Sequence, residues 1–295
     1  MNIDHAYLTN GHVSEENLVF YTVYGFLIAP GVLSTSEIDA LRKETLAIFK
    51  GQRGAIEGLL PINENASDKE VLNRYVAIHF PHKISALIYQ LLFQPKVVDI
   101  LTKIVGPNLK CMQSMLFVKG PGKAGQSWHQ DEYYIPTRDK SLVGAWMAID
   151  DATVENGCLW IRPGRPGSIL ARVPIKSEEY ADVDSVDLTQ VKSEAALPVE
   201  VKSGSVILFN GYTLHSSLKN KTLDRFRLTL VLHYMSADSM LPWDQDGKLP
   251  PTEDLRDIVH IAGLDAYAWK GTVDLNRPYL RPEILNIKKG GTDLE

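Results

Sequence analysis

The chain has 295 residues, of which 44% are hydrophobic and 23% charged, and its formal net charge is −5. A chain of this size and apolar content buries a large core, which excludes a mainly disordered, collagen-like or low-complexity protein. The acidic balance also argues against a nucleic-acid surface, which needs a basic stripe to hold phosphates.

Two cysteines, Cys111 and Cys158, are too few for a disulfide scaffold or a Cys-rich zinc site. The opening residues are polar and acidic, unlike a signal peptide. No run of about 18 uncharged apolar residues is present to span a membrane. A cytoplasmic protein with no membrane or nucleic-acid partner is expected. No repeat or Gly/Pro/Ser-rich linker divides the chain, so residues 1–295 read as a single domain.

The part up to about residue 108 reads as helical. Ser34 and Glu37 have capping-box spacing, Ile38, Leu41, Thr45, Ile48 and Phe49 recur at helical intervals, and Gly51 supplies a stop. Residues 52–73 read as a loop. Helical spacing returns in Ile84, Leu87, Ile88, Leu91 and Leu92, and Pro95 opens a helix that Gly106-Pro107 closes. From about 109 to 235 the pattern changes to short strands: Leu109–Val118, Leu142–Ile149, Cys158–Ile161, Val199–Val201, Val206–Phe209 and Phe226–Met235. Turn signals such as Asn156-Gly157 and Lys202-Ser203-Gly204 separate them. The order predicts a mainly β sandwich or jelly roll with flanking helices at its N-terminal side. Segment 165–198 reads as an insertion or lid, and 236–295 as a peripheral C-terminal extension.

The chemistry gathers around Trp128-His129-Gln130-Asp131. In extended backbone, His129 and Asp131 point to one face. His215, after the strand ending at Phe209-Asn210, is the best third ligand. Two imidazoles and a carboxylate on one side of a metal form the facial triad of non-haem Fe(II) oxygenases. The other half of the coordination sphere stays open for a chelating co-substrate and dioxygen. H-x-D alone is weak and more often marks a surface turn. Its weight grows with His215 and with the strand that follows, where Arg225, Arg227, Thr229 and His233 alternate onto one face. An arginine facing a barrel interior needs an anion, and its planar fork suits a carboxylate. Pairing with acidic residues at the sheet rim is the plain alternative.

Several stretches resemble the phytanoyl-CoA dioxygenase family of Fe(II)/2-oxoglutarate oxygenases, nearest its domain-containing branch. They are Gln113-Ser114-Met115, His129-Gln130-Asp131, Gly144–Ala148, Asp151–Trp160, His215-x-Ser217 and Asp224-x-x-Arg227. The resemblance implies a double-stranded β-helix, the cupin-like jelly roll. It implies His129, Asp131 and His215 as iron ligands, and Met115, Trp146, Ser217 and one arginine as 2-oxoglutarate contacts. Counting back from His233-Tyr234 favours Arg227, with Thr229 sharing the carboxylate; aligning the Asp-Arg dipeptide favours Arg225. Arg74 is a weak match for a further basic residue. The implied cofactors are Fe(II), 2-oxoglutarate as co-substrate, and dioxygen.

The expected function is a dioxygenase that hydroxylates an unactivated C–H bond of a small organic molecule, releasing succinate and CO2. The acidic ligand Asp131 favours hydroxylation over halogenation. Two other readings remain: a cupin-like binding or sensing protein without turnover, and a zinc-dependent hydrolase or isomerase. The substrate itself is not legible, and the oligomeric state, a homodimer among the options, stays open. Trp128, Tyr133 and Tyr134 read equally as pocket lining or strand-end packing. His79 and His82 read as non-ligands, His233 as a hydrogen-bonded core residue or one that supports a metal ligand, Cys158 as core, and Lys119 and Lys123 as solvated loop charges.

Overall fold

Local chemistry sets the helices. Asn17 and Ser14 exchange capping hydrogen bonds that start α1 (Glu15–Tyr24), and Gly25 ends it in the left-handed conformation. Ser34 and Glu37 make the predicted box at the start of α2 (Thr35–Phe49). A third box, Ser67 with Glu70, starts α3 (Asp68–Asn73) inside the segment expected to be loop. One turn and a half of helix is too short to show an apolar period. α4 (Ala86–Leu91) follows, and Pro95 occupies the first turn of α5 (Pro95–Ile104) as expected.

The strands are β1 (Phe26–Ala29), β2 (Tyr75–His79), β3 (Leu109–Lys119), β4 (Val143–Ala148), β5 (Leu159–Arg162), β6 (Arg172–Pro174), β7 (Asp184–Val186), β8 (Leu197–Val199), β9 (Val206–Asn210), β10 (Leu214–Ser217), β11 (Arg227–Ser236), β12 (Val259–Ala262) and β13 (Tyr279–Pro282). A four-residue helix, α6 (Asp131–Tyr134), lies between β3 and β4. The computed structural model describes residues 1–282 apart from 64, 165, 192–194, 241–251 and 254.

The architecture is a double-stranded β-helix. Its large antiparallel sheet runs β1-β9-β4-β11-β3-β2-β13, with β12 also paired to β3; the small sheet runs β10-β5-β8. The N-terminal part is therefore not purely helical, because β1 and β2 belong to the large sheet. β1 is four residues long and fully buried, so it shows no alternation to read. The expected C-terminal extension supplies β12 and β13, which pair with β3 and β2. Segment 165–198 contributes the β6–β7 pair and β8, which joins the small sheet.

Alternation along the two long central strands builds the site. On β11, Leu228, Leu230 and Leu232 join a buried cluster with Leu41, Ile88, Leu92 and Ile100. Each such side chain removed from water stabilises by ~1.5–3 kcal/mol. Tyr234 donates from its hydroxyl to the Leu92 carbonyl at 3.0 Å, tying the strand to the helical layer. The opposite face carries Arg227, Thr229, Val231 and His233, directly across from Lys119, Phe117, Met115 and Gln113 of β3. Gln113, Met115 and Phe117 are half-buried whereas Ser114, Leu116 and Val118 are buried, so this face is the less tightly covered side of β3. Among the described residues, no helix is long and apolar enough to cross a membrane.

Candidate metal and co-substrate site

Three stretches of chain converge between the sheets. His129 and His215 form an antiparallel bridge, each backbone N–H donating to the other's carbonyl, at 3.0 and 3.2 Å. The extended geometry expected for H-x-D ends at Gln130, since Asp131 opens α6. That turn still brings Asp131 to both imidazoles: its Oδ1 lies 3.7 Å from His129 Nε2 and 3.5 Å from His215 Nε2. Among the described residues, His129, Asp131 and His215 are the one group whose donor atoms could share an ion, all within 4.8 Å of one another. Two metal bonds of ~2.1 Å each bridge such separations.

The ring protons fit the same role. His129 Nδ1 is 2.7 Å from the Ser127 carbonyl and His215 Nδ1 is 3.0 Å from that of Thr213. A carbonyl only accepts, so each Nδ1 carries the hydrogen and each Nε2 keeps its lone pair for the interior. Burial, with His215 beside it, pushes the His129 pKa down to about 3, which keeps the ring neutral and ready to ligate. Burial alone would raise the Asp131 pKa, but the hydrogen bond from His233 works against it and helps hold the group ionised. His233 Nε2 donates to Asp131 Oδ2 at 3.2 Å, leaving Oδ1 toward the two histidines. Gly144 faces His233 across the sheet, and a Cβ there would meet the Phe209 ring at 2.8 Å and Asp131 Oδ2 at 3.3 Å. The absent side chain is what lets the carboxylate lie over β4.

A second polar zone adjoins the triad. Arg227 is buried at 5% exposure, its guanidinium 5.4 Å from the Trp146 ring centroid. Its Nε has no hydrogen-bond partner, and no carboxylate is recorded in a salt bridge with it among the described residues. Burial lowers its pKa to about 10, so it remains a cation at neutral pH. Thr229 Oγ1 is buried on the same face, with no hydrogen-bond partner among the described residues. Ser217 lies two residues after His215 on β10, and Met115 sits opposite Val231, itself opposite Trp146. Asp150 offsets this charge in part without forming an ion pair among the described residues, and a buried cation beside orphaned donors fits an anionic ligand.

Comparison with known proteins follows this geometry. The sequence profile of the phytanoyl-CoA dioxygenase family matches residues 21–229. The chain belongs to the phytanoyl-CoA dioxygenase family. Phytanoyl-CoA dioxygenase 1 of Oryza sativa subsp. japonica is 26% identical over 275 residues, covering 82% of this chain and 96% of the rice protein. Phytanoyl-CoA dioxygenase domain-containing protein 1 of Danio rerio is 30% identical over 182 residues, 60% of this chain and 62% of its own. Among solved structures, the non-haem alpha-ketoglutarate-dependent carbocyclase SnoK superposes with a TM-score of 0.64 at 23% identity, covering 86% of this chain and 99% of SnoK. EvdO2 from Micromonospora carbonacea var. aurantiaca, complexed with 2-oxoglutarate, gives 0.58 at 25% identity, covering 79% and 94%.

Family membership and the triad make the protein a non-haem iron- and 2-oxoglutarate-dependent oxygenase. The structure separates the two arginines that the sequence left open. Arg225 is exposed, because β11 begins only at Arg227 and the period-2 face does not reach back to it. Asn220 holds this turn, accepting from Thr222 and donating to the Arg225 carbonyl. Arg74 caps α3, and its guanidinium is engaged with the Pro61 carbonyl. Trp128 packs with Val186 and Leu214. Tyr133 and Tyr134 are exposed and lie under the Arg172 guanidinium, with the Tyr134 ring 6.1 Å from that of His129.

Lys119 and Lys123 are buried, contrary to the solvated role expected of them. Lys119 ends β3 and Lys123 donates to the Tyr75 carbonyl. Lys119 was findable: it lies four residues after Met115 in an alternating strand, hence on the same face. Gln130 had no readable signal. Its side chain donates to the Tyr212 carbonyl and accepts from the Leu170 N–H, fastening the 165–198 segment beside the triad.

Proposed function

We propose that His129, Asp131 and His215 hold Fe(II), that Arg227, Ser217 and Thr229 bind the distal carboxylate of 2-oxoglutarate, and that Met115 and Trp146 wall its chain. The reaction is hydroxylation of an unactivated C–H bond in a small organic molecule, with release of succinate and CO2. Bound iron and co-substrate supply the oxidising power. The protein's own work is placement. The Ser127 and Thr213 carbonyls fix the imidazoles, His233 reserves one Asp131 oxygen, and buried Arg227 sets the depth at which a dicarboxylate stops. The observation that carries the reading is the convergence of two Nε2 atoms and one carboxylate oxygen whose other polar atoms are already committed.

Gln113, Met115 and Phe117 are the less buried side chains of this face of β3, and Tyr133 and Tyr134 are exposed under Arg172; these are the side chains we assign to the small substrate. Phytanoyl-CoA is not inherited from the family name, since one fold serves many substrates. Strands of one sheet come from residues 26 to 282, which supports reading the chain as one catalytic unit.

Anaerobic addition of Fe(II) and 2-oxoglutarate should produce a weak visible charge-transfer band. Admitting oxygen with a metabolite library should then release succinate when the substrate is present. Turnover with zinc in the absence of oxygen would establish a hydrolase or isomerase instead. Failure to bind 2-oxoglutarate would leave the sensing protein.

A further inference from the structure

Lys119 has no place in the machinery described so far, yet it joins the two sheets at the co-substrate end. It lies directly opposite Arg227 in the β3–β11 ladder, and 4% of its surface is exposed. Its Nζ donates to Ser217 Oγ at 2.8 Å and to the Leu218 carbonyl at 2.7 Å. The Gln126 backbone N–H also donates to Ser217 Oγ, at 3.2 Å. A hydroxyl has two acceptor lone pairs and one hydrogen. Both lone pairs of Ser217 are thus occupied, and no protein acceptor is recorded for its hydrogen among the described residues. Ser217 shares the inward face of β10 with His215, so that hydrogen is offered to the interior.

The lysine's own surroundings are shaped for this. Gly157 adopts φ +80°, and a Cβ there would meet the Leu218 carbonyl at 2.5 Å and Lys119 Cδ and Nζ at 3.0 Å. The Asn156-Gly157 turn therefore makes room for the lysine as well as reversing the chain. Burial and the neighbouring Arg227 push the Lys119 pKa well down. Three acceptors, Ser217 Oγ, the Leu218 carbonyl and, at 3.5 Å, the Gly157 carbonyl, match the three N–H donors of the ammonium form, which has no lone pair to accept from Ser217.

We propose that Lys119 is a positioning residue for the co-substrate: by filling an acceptor site of Ser217 it makes that hydroxyl an obligate donor to the distal carboxylate held by Arg227. The inference rests on the proposed Arg227–Ser217 anchor. It predicts that the lysine matters only for ligands that possess a second carboxylate.

The test uses the full-length chain loaded anaerobically with Fe(II), titrated with 2-oxoglutarate and separately with 2-oxobutyrate, which lacks the distal carboxylate. Lys119→Met should weaken 2-oxoglutarate about 10-fold, the worth of one hydrogen bond, and leave 2-oxobutyrate and metal affinity within twofold. Ser217→Ala should lose a similar factor, and the double variant should be no worse than Ser217→Ala alone. Lys119→Gln, which also removes the amine, is the second variant should Met not fold. Unchanged 2-oxoglutarate affinity, equal weakening of both ligands, or additive losses would overturn the assignment. Unfolding of both variants would mark the lysine as a structural tie and overturn it too. A wild-type protein that binds both ligands equally would instead remove the anchor on which the inference rests.

Discussion

Replacing Arg227 with methionine separates a ligand-binding cation from a structural one. The guanidinium is buried, packed on Trp146, and without a carboxylate partner among the described residues. Methionine keeps much of the stem volume and removes a buried charge that makes no ion pair among the described residues, so the ligand-free protein should unfold at the wild-type temperature or above. Binding should suffer instead. Two charge-assisted hydrogen bonds from the fork to a carboxylate are worth ~1.5–3 kcal/mol each. A net loss of ~3–4 kcal/mol raises the 2-oxoglutarate Kd about 100- to 1,000-fold. Thermal unfolding with and without ligand reads both effects. At 100 times the wild-type Kd, 2-oxoglutarate adds ~2.7 kcal/mol of stability, whereas a Kd raised 100-fold leaves ~0.4 kcal/mol at the same concentration. Arg225→Met, in the exposed turn, should keep the full ligand response. An Arg227→Met protein that retains that response, or an Arg225→Met protein that loses it, would refute the assignment.

Asp131→Ala should abolish turnover and weaken Fe(II) or Co(II) binding at least ~100-fold by equilibrium dialysis; tight metal retention would show that the carboxylate is not a ligand. Burial pushes the His79 and His82 imidazoles down to about 4. Between roughly pH 6.5 and 4 the unfolded chain therefore binds protons at these rings that the folded chain does not. Stability should fall as pH drops through that window, by up to ~1.4 kcal/mol per pH unit for each ring. His82→Gln should flatten the slope in denaturant titrations, and an unchanged slope would contradict the burial argument. Ser34→Ala removes the α2 cap and should cost about 1 kcal/mol in urea unfolding; wild-type stability would mean the cap is redundant.

What could be read from the residues was whatever depends on short-range pattern. Ser34 with Glu37 and Pro95 marked helix starts because capping is decided within one turn. β3, β4, β5, β9 and β11 were legible from alternation and turns, whereas β6, β7 and β10 were not and β8 lies two residues before the strand expected at Val199–Val201; His129, Asp131 and His215 stood out as candidates by ligand chemistry and resemblance. β1 was not legible, since a strand buried on both faces has no period, and neither was β13, whose partner β2 lies some two hundred residues earlier. Arg225 and Arg227 were equivalent as residue types. Only where β11 begins tells them apart: the ladder with β3 starts at Arg227, opposite Lys119, and leaves Arg225 in the exposed turn. Lys119 itself gained meaning only when β3 and β10 came together, bringing its amine to Ser217. Residue type and spacing determined which groups are capable of binding iron and a carboxylate. Packing of the two sheets determined which of them face one another, because burial and hydrogen-bond partners belong to the assembled interior rather than to the local chain.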